Sequence, residues 1–270
     1  MSKEDRPRLL LVLSDIHCGS VVGLMPPETE TSTGNKIGFG KNVHHAWLWD
    51  KWLEMQKRFA KIRGKSPYAM LLNGDLTEGV HHNSIENLTQ LIEDHANMAV
   101  ECLEPLASKA CRVLVTQGTE CHTHNIESYI AKKIKARSGK ALPQWLFKIA
   151  GTLVSATHHI STAGRAVSES SALGAELGNA RLQSARSGHE IPTVFLRGHR
   201  HVGGWYSDGA GLMGITGGWQ FLTRYGRKVV PSSVPRPSAL VLDWRSVPDG
   251  SLPVVNEISF PSPQGDIDIL

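Results

Sequence analysis

Leu9-Leu10-Leu11-Val12-Leu13-Ser14-Asp15-Ile16-His17 is the stretch on which the reading of this chain turns. The unbroken apolar run 9–13 reads as a strand buried on both faces, of the kind found inside parallel sheets. It ends in a carboxylate and an imidazole two positions apart. Side chains two apart on an extended segment leave the same face, so Asp15 and His17 are expected to look into one site. A carboxylate oxygen supplies charge, and a neutral imidazole suits a borderline metal such as Zn, Mn or Fe. Many strands end in Asp, however, and a His two residues later is often only a loop residue. The remaining strand ends therefore decide what the pair is for.

The totals set the frame. A chain of 270 residues can bury a substantial core without disulfides or structural metal, and one domain spanning 1–270 is expected. A formal net charge of +4 permits an anionic substrate without arguing for nucleic acid. The four cysteines, Cys18, Cys102, Cys111 and Cys121, show no C-x-x-C spacing and read as reduced thiols. No signal-peptide core and no apolar run of membrane-spanning length is present, so a soluble cytoplasmic protein with no membrane partner is expected. Several of the 13 histidines lie in tight groups.

Working outward, residues 18–42 form a long Gly-, Pro- and Thr-rich loop, a length that is usually functional or mobile. Residues 43–63 carry apolar side chains at helical spacing and stop at Gly64. This helix interleaves Trp47, Trp49 and Trp52 with Lys and Arg. That texture fits a nucleic-acid surface, but it fits better an amphipathic helix covering a sheet. A second strand at 68–72 ends in Asn73-Gly74-Asp75, and a helix is expected over 84–107 with Ser84 as its N-cap. His95 within that helix reads as structural, and His81 and His82 remain unassigned. A third strand at 112–116 leads to Gln117-Gly118-Thr119-Glu120-Cys121-His122 and a helix at 126–136. From residue 144 the alternation of strand and helix gives way to a β-rich half. Its strands are expected at 145–149, 152–157, 193–197, 205–207, 212–216, 228–230, 239–244 and 254–258, with a helix at 170–186.

Five strand ends thus carry metal-type side chains: Asp15/His17, Asp75, the Glu120/His122 segment, His158/His159 and His199/His201. Open α/β sheets place their sites outside the carboxyl ends of their strands. So many donors exceed one tetrahedral metal and suit two, with Asp75 as the natural bridging carboxylate.

In this order the motifs resemble those of the calcineurin-like metallophosphoesterases: Asp15-Ile16-His17, Gly74-Asp75, Gly118-Thr119-Glu120-Cys121-His122, His158-His159 and Gly198-His199-Arg200-His201. The similarity spans residues 9 to about 205. It implies an α/β (α+β) four-layer sandwich, two central mixed β-sheets flanked by helices, and hydrolysis of phosphomonoesters or phosphodiesters. It also implies two divalent ions, Mn2+ first, with Zn2+, Fe2+ or Mg2+ as alternatives. By position, Asp15, His17 and His201 would hold one ion, His158 (or His159) and His199 the other, and Asp75 would bridge. The third motif departs from the family pattern, whose Asn ligand is replaced. Thr119 or Glu120 would then supply the oxygen, and His122 would serve as the acid to the leaving group. Arg200 or Arg165 would hold the phosphate. The segment Gly217-Gly218-Trp219-Gln220 looks like that of phage and prophage members, which would make the gene phage-encoded. DNA or nucleotide is the favoured substrate, given the Trp- and Lys-rich helices. The altered third motif also admits a different class, a catalytically weak or inactive binding or structural protein on the same scaffold. Oligomeric state is not legible.

Overall fold

Strand β1 (Leu9–Leu13) is buried along its whole length because it serves two cores at once. Leu9, Leu11 and Leu13 enter one core, and Leu10 and Val12 enter the other. The computed structural model describes residues 6–80, 85–123, 126–136, 138–160, 169–229 and 233–263. After β1 come β2 (Glu28–Glu30), β3 (Lys36–Gly38), α1 (Val43–Arg63), β4 (Ala69–Asn73), α2 (Ile92–Ala107), β5 (Arg112–Thr116), α3 (Glu120–Thr123) and α4 (Ile126–Lys133). The second half comprises β6 (Gln144–Ile149), β7 (Thr152–Thr157), α5 (Glu169–Arg186), β8 (Val194–Arg197), β9 (Gly204–Ser207), β10 (Leu212–Ile215), α6 (Arg224–Val229), β11 (Ser238–Asp243) and β12 (Val254–Ser259).

Two five-stranded mixed sheets result, ordered β12-β11-β1-β4-β5 and β6-β7-β8-β10-β9, with β2-β3 as a separate hairpin. Each sheet contains three adjacent parallel strands, β1-β4-β5 in one and β7-β8-β10 in the other. The sheets pack face to face. Leu10, Val12, Leu71, Leu114, Leu240 and Leu242 of the first meet Val154, Ala156, Val194, Leu196 and Leu212 of the second. Helices α1, α2 and α4 cover the outer face of the first sheet through Trp52, Met55, Phe59, Met98, Leu103 and Ile130. Helix α5 covers the second sheet, with Leu173 and Leu177 against Phe195, Met213 and Ile215. The four-layer α/β sandwich expected from the motifs is thus what the side-chain periods build. Each strand alternates its apolar residues between an inter-sheet core and a helix-facing core.

Helix α1 buries Leu48, Trp52, Met55 and Phe59 and stops at Gly64, whose φ of 60° is reached without strain by glycine alone. It covers the sheet rather than presenting its tryptophans. Trp52 is fully buried, and its Nε1–H donates to the Cys102 carbonyl at 3.3 Å.

Two local expectations give way in the folded chain. The helix expected from 84 begins only at Ile92; Ser84, with His81 and His82, lies outside the described residues. Residues 86–88 pair instead with the loop after β1, through Val21 N–H to Glu86 O and Leu88 N–H to Gly19 O. The strand expected at 228–230 is replaced by α6, which starts where the Thr223 hydroxyl accepts the Gly226 N–H at 3.0 Å; Val230 lies outside the described residues. The last two strands, β11 and β12, return to the first sheet beside β1. No helix among the described residues is long and apolar enough to cross a membrane.

Candidate metal centre

The carboxyl ends of all six parallel strands meet at one end of the sandwich. Asp15 and His17 follow β1, Asp75 follows β4, Thr119 follows β5, His158 follows β7, and His199 and His201 follow β8. The residues after β10 line the back: Thr216 hydrogen-bonds the Ser14 hydroxyl, and the Trp219 N–H donates to Asp15 O at 2.7 Å.

The way these side chains reach the site corrects the simplest sequence argument. Asp15 and His17 do not project by strand alternation, because both lie past the end of β1 in the left-handed region, at φ 53° and 49°. Asp75, His199 and His201 share that conformation, at φ 52°, 75° and 56°. Each non-glycine residue held there costs on the order of 1–3 kcal/mol and persists only where the surroundings over-determine it. Here the surroundings are backbone hydrogen bonds between strand ends. Asp15 N–H donates to Gly74 O, Ile16 N–H to Asp75 O, and Gly198 N–H to His158 O. Gly118 is required by space: a Cβ there would lie 2.1 Å from Asp75 Oδ1 and 2.3 Å from Asp75 N.

Four sets of donor atoms lie within 4.8 Å of one another: Asp15/His17/His201, Asp15/Asp75/His158, His158/His159/His199 and His17/Glu78/His122. They form a continuous chain, since Asp15, His17 and His158 each belong to two sets. His17 Nε2 is 3.1 Å from His201 Nε2 and 4.0 Å from Asp75 Oδ2. His201 Nε2 is 3.6 Å from Asp15 Oδ1. His158 Nε2 is 2.9 Å from Asp75 Oδ2 and 3.9 Å from Asp15 Oδ1. Asp75 sits between the sets and also accepts the Thr119 N–H at 2.7 Å and the Thr119 hydroxyl at 3.1 Å.

The far nitrogens of the rings are anchored. His158 Nδ1–H donates to Asn73 O at 2.7 Å, His122 Nδ1–H donates to Glu78 O at 2.6 Å, and His17 Nδ1 faces Glu78 Oε2 at 2.9 Å. This carbonyl-or-carboxylate support fixes the tautomer and leaves Nε2 as the donor, as metal-binding histidines require. Glu78 is itself held by Gln220, whose Nε2–H donates to Glu78 Oε2 at 2.6 Å and to Ser20 Oγ at 3.0 Å.

The electrostatics follow from this packing. Burial works against the charged form of His158, but Asp15 and Asp75 outweigh it and push its imidazole up to about 10. Burial alone would raise Asp75; the His158 charge and hydrogen bond hold it far below the carboxylate range instead. Burial drives His201 down to about 4 against the pull of Asp15, and it also lowers His122, His159 and His199. His17 runs the other way: burial opposes its charge, but the hydrogen bond to Glu78 raises it. Glu127, buried beneath the site, accepts the Gly118 N–H at 2.8 Å, and burial beside Asp75 pushes it up to about 8.

Of the residues singled out from sequence, Asp15, His17, Asp75, His158, His199 and His201 are brought together. His122 stands edge-on to His17, with ring centroids 4.7 Å apart. Glu120 is not brought in: it is exposed at the start of α3 and belongs to none of the four donor sets. Thr119 occupies the corresponding place, its hydroxyl 3.2 Å from His199 Nδ1. Arg200 is exposed between His199 and His201, and Arg165 and His124 lie outside the described residues. Sequence reasoning passed over Glu78 and Glu127, and it named Gln220 only within Gly217-Gly218-Trp219-Gln220, without a role in the site. Glu78 left a trace as a second carboxylate three residues after Asp75. The donor set, two carboxylates and several imidazoles with Nε2 turned inward, fits borderline divalent cations.

No protein-family model and no curated protein sequence matches this chain. Several solved structures are similar in shape. A hypothetical protein from Pyrococcus horikoshii is 11% identical with a TM-score of 0.48, covering 95% of this chain and 89% of its own. A novel archaeal phosphodiesterase is 11% identical with a TM-score of 0.45, over 93% and 99%. Wild-type Vps29 from Entamoeba histolytica, complexed with Zn2+, is 12% identical with a TM-score of 0.42, over 93% and 98%.

Proposed function

We propose that this chain is a metal-dependent phosphoesterase of the calcineurin-like type, acting as a single domain on phosphodiester or phosphomonoester bonds. The observation that carries the reading is the convergence of six donor residues, three from each sheet, at one end of the sandwich: Asp15, His17 and Asp75 with His158, His199 and His201. Asp15, His17 and His201 would hold one divalent ion, His158 and His199 a second, and Asp75 would serve both. When bound, such ions neutralise phosphate oxygens and make water a better nucleophile at neutral pH. Mn2+ is the first candidate, because the mixed carboxylate and imidazole set suits it, with Zn2+ and Fe2+ next.

The protein groups divide the remaining work. Glu78 and the Asn73 carbonyl keep His17 and His158 in the tautomer that turns Nε2 inward. His122 engages the Glu78 carbonyl through Nδ1–H, so its Nε2 is the atom that would exchange a proton with the leaving oxygen. Arg200, exposed between His199 and His201, would meet a phosphate oxygen as substrate enters.

The test is hydrolysis of generic aryl phosphodiesters and monoesters by Mn2+-loaded protein, beside Asp75→Asn. Turnover in the wild type, with turnover and metal lost in the variant, is expected. No hydrolysis, together with unchanged metal content in Asp75→Asn, sinks the proposal. A second reading, a non-catalytic binding protein on this scaffold, draws on the exposure of Glu120 and the presence of Thr119 where the family has Asn. It predicts at most one bound ion and no turnover on any phosphate ester.

A further inference from the structure

The geometry points to His159 as a ligand of the second metal position, making that position a three-imidazole site. This inference rests on the dinuclear reading above and goes beyond it, since the family pattern needs only one of His158 and His159. One ligand atom from each of His158, His159 and His199 lies within 4.8 Å of the others. The ring centroids form a nearly even triangle: 5.1 Å between His158 and His159, 4.8 Å between His159 and His199, and 5.4 Å between His158 and His199.

The need for such a donor is local. The family's Asn position holds Thr119, whose hydroxyl is engaged by Asp75 at 3.1 Å, and Glu120 is exposed and outside the donor sets. Without His159 the position would have two imidazoles and a shared carboxylate. With it, the position gains the fourth protein donor that a tetrahedral borderline metal takes.

One ring is fixed and two are exposed, which suits closure on an ion. Metal–nitrogen bonds of about 2.1 Å set tetrahedral nitrogens about 3.4 Å apart, so donor atoms that lie within 4.8 Å of one another need only small ring rotations to meet on one ion. His158 is buried and pinned through Nδ1 to Asn73, while His159 and His199 are exposed and can swing on their χ angles. The backbone of His159 is meanwhile steadied by the Thr157 hydroxyl, which donates to its carbonyl at 3.3 Å. Three nitrogens and one carboxylate oxygen favour Zn2+, Co2+, Fe2+ or Mn2+ over Mg2+, which prefers oxygen donors and octahedral geometry.

Metal titration calorimetry and elemental analysis of wild type and His159→Ala, each also loaded with Co2+ for visible absorption, test the inference. The wild type should bind two ions. His159→Ala should keep one at unchanged affinity, bind the other at least tenfold more weakly, and show an altered Co2+ spectrum that millimolar imidazole restores. Mg2+ should not compete for the weakened site. Two ions with unaltered affinities in His159→Ala, or loss of both, overturn the assignment of His159. Fewer than two ions in the wild type instead overturns the dinuclear reading on which it rests. Because His159 is exposed, the alanine variant should fold normally, and circular dichroism checks this.

Discussion

In the metal-free protein, stability should fall as pH turns alkaline, and His158 sets the window. Its imidazole is pushed up to about 10 in the folded protein by Asp15 and Asp75, against 6.5 in an unfolded chain. Between those values the folded state binds a proton that the unfolded state has lost. Stability from this group is therefore fully present below pH 6.5 and is lost as pH rises toward 10. At about 1.4 kcal/mol per pH unit the ceiling is about 5 kcal/mol, a large fraction of a typical domain's total. Glu127 acts in the same direction over a lower window. Raised from 4.5 to about 8, it holds a proton that the unfolded chain sheds, so it too costs stability as pH rises, up to about pH 8. His201, lowered to about 4, works oppositely but only between pH 4 and 6.5, where stability rises with pH. Urea denaturation of chelator-treated protein at pH 6.5, 8 and 10 reads the sum. Glu127→Gln should remove the part below pH 8, and Asp75→Asn should flatten much of the rest by removing the carboxylate 2.9 Å from His158 Nε2. Binding a divalent ion requires His158 neutral, so calorimetry at pH 8 in buffers of different ionisation enthalpy should show about one proton released from it. A metal-free stability that is flat or rising from pH 6.5 to 10 would refute the electrostatic account of His158.

Four further outcomes are expected. Gly118→Ala places a methyl 2.1 Å from Asp75 Oδ1 and should lower both metal content and stability, the latter by about 1–3 kcal/mol in thermal melts. Gly178→Ala, with nothing within 4 Å of the added methyl and a place inside α5, should be neutral or stabilising by up to about 1 kcal/mol. Glu78→Gln should weaken metal binding about 10- to 100-fold in calorimetry, because the carboxylate facing His17 Nδ1 at 2.9 Å becomes an amide; unchanged affinity would remove Glu78 from the support of the site. Trp219→Ala should cost about 3–5 kcal/mol in urea titration, since the indole is fully buried edge-on against Trp52 at 4.8 Å and its Nε1–H donates to Ser238 O. A loss below 1 kcal/mol would show that the segment behind Asp15 is not held by this contact.

The elements legible in advance were those whose own side chains carry the signal. The run Leu9–Leu13 and the amphipathic period of 43–63 both declare themselves, because burial on two faces or on one face is written in the spacing of apolar residues. The start of α2 was not legible, because residues 86–88 satisfy their backbone groups on the loop after β1, some 65 residues earlier in the chain. The same holds for α6, whose first N–H, that of Arg224, donates at 3.0 Å to the carboxylate of Glu86, 138 residues earlier in the chain.

Within the site, sequence alone identified the donor types and their order: Asp15, His17, Asp75, His158, His199 and His201, each just past an apolar run. It could do so because a parallel strand must end at the same edge of its sheet as its parallel neighbours. Which atoms face one another was decided only by the tertiary structure. The left-handed turns at Asp15, His17, Asp75, His199 and His201 depend on hydrogen bonds made between strand ends distant in the chain. So do the exclusion of Glu120, the support from Glu78 and Gln220, and the approach of His159 to His199. Those contacts join groups separated by tens to hundreds of residues, and no local pattern carries them.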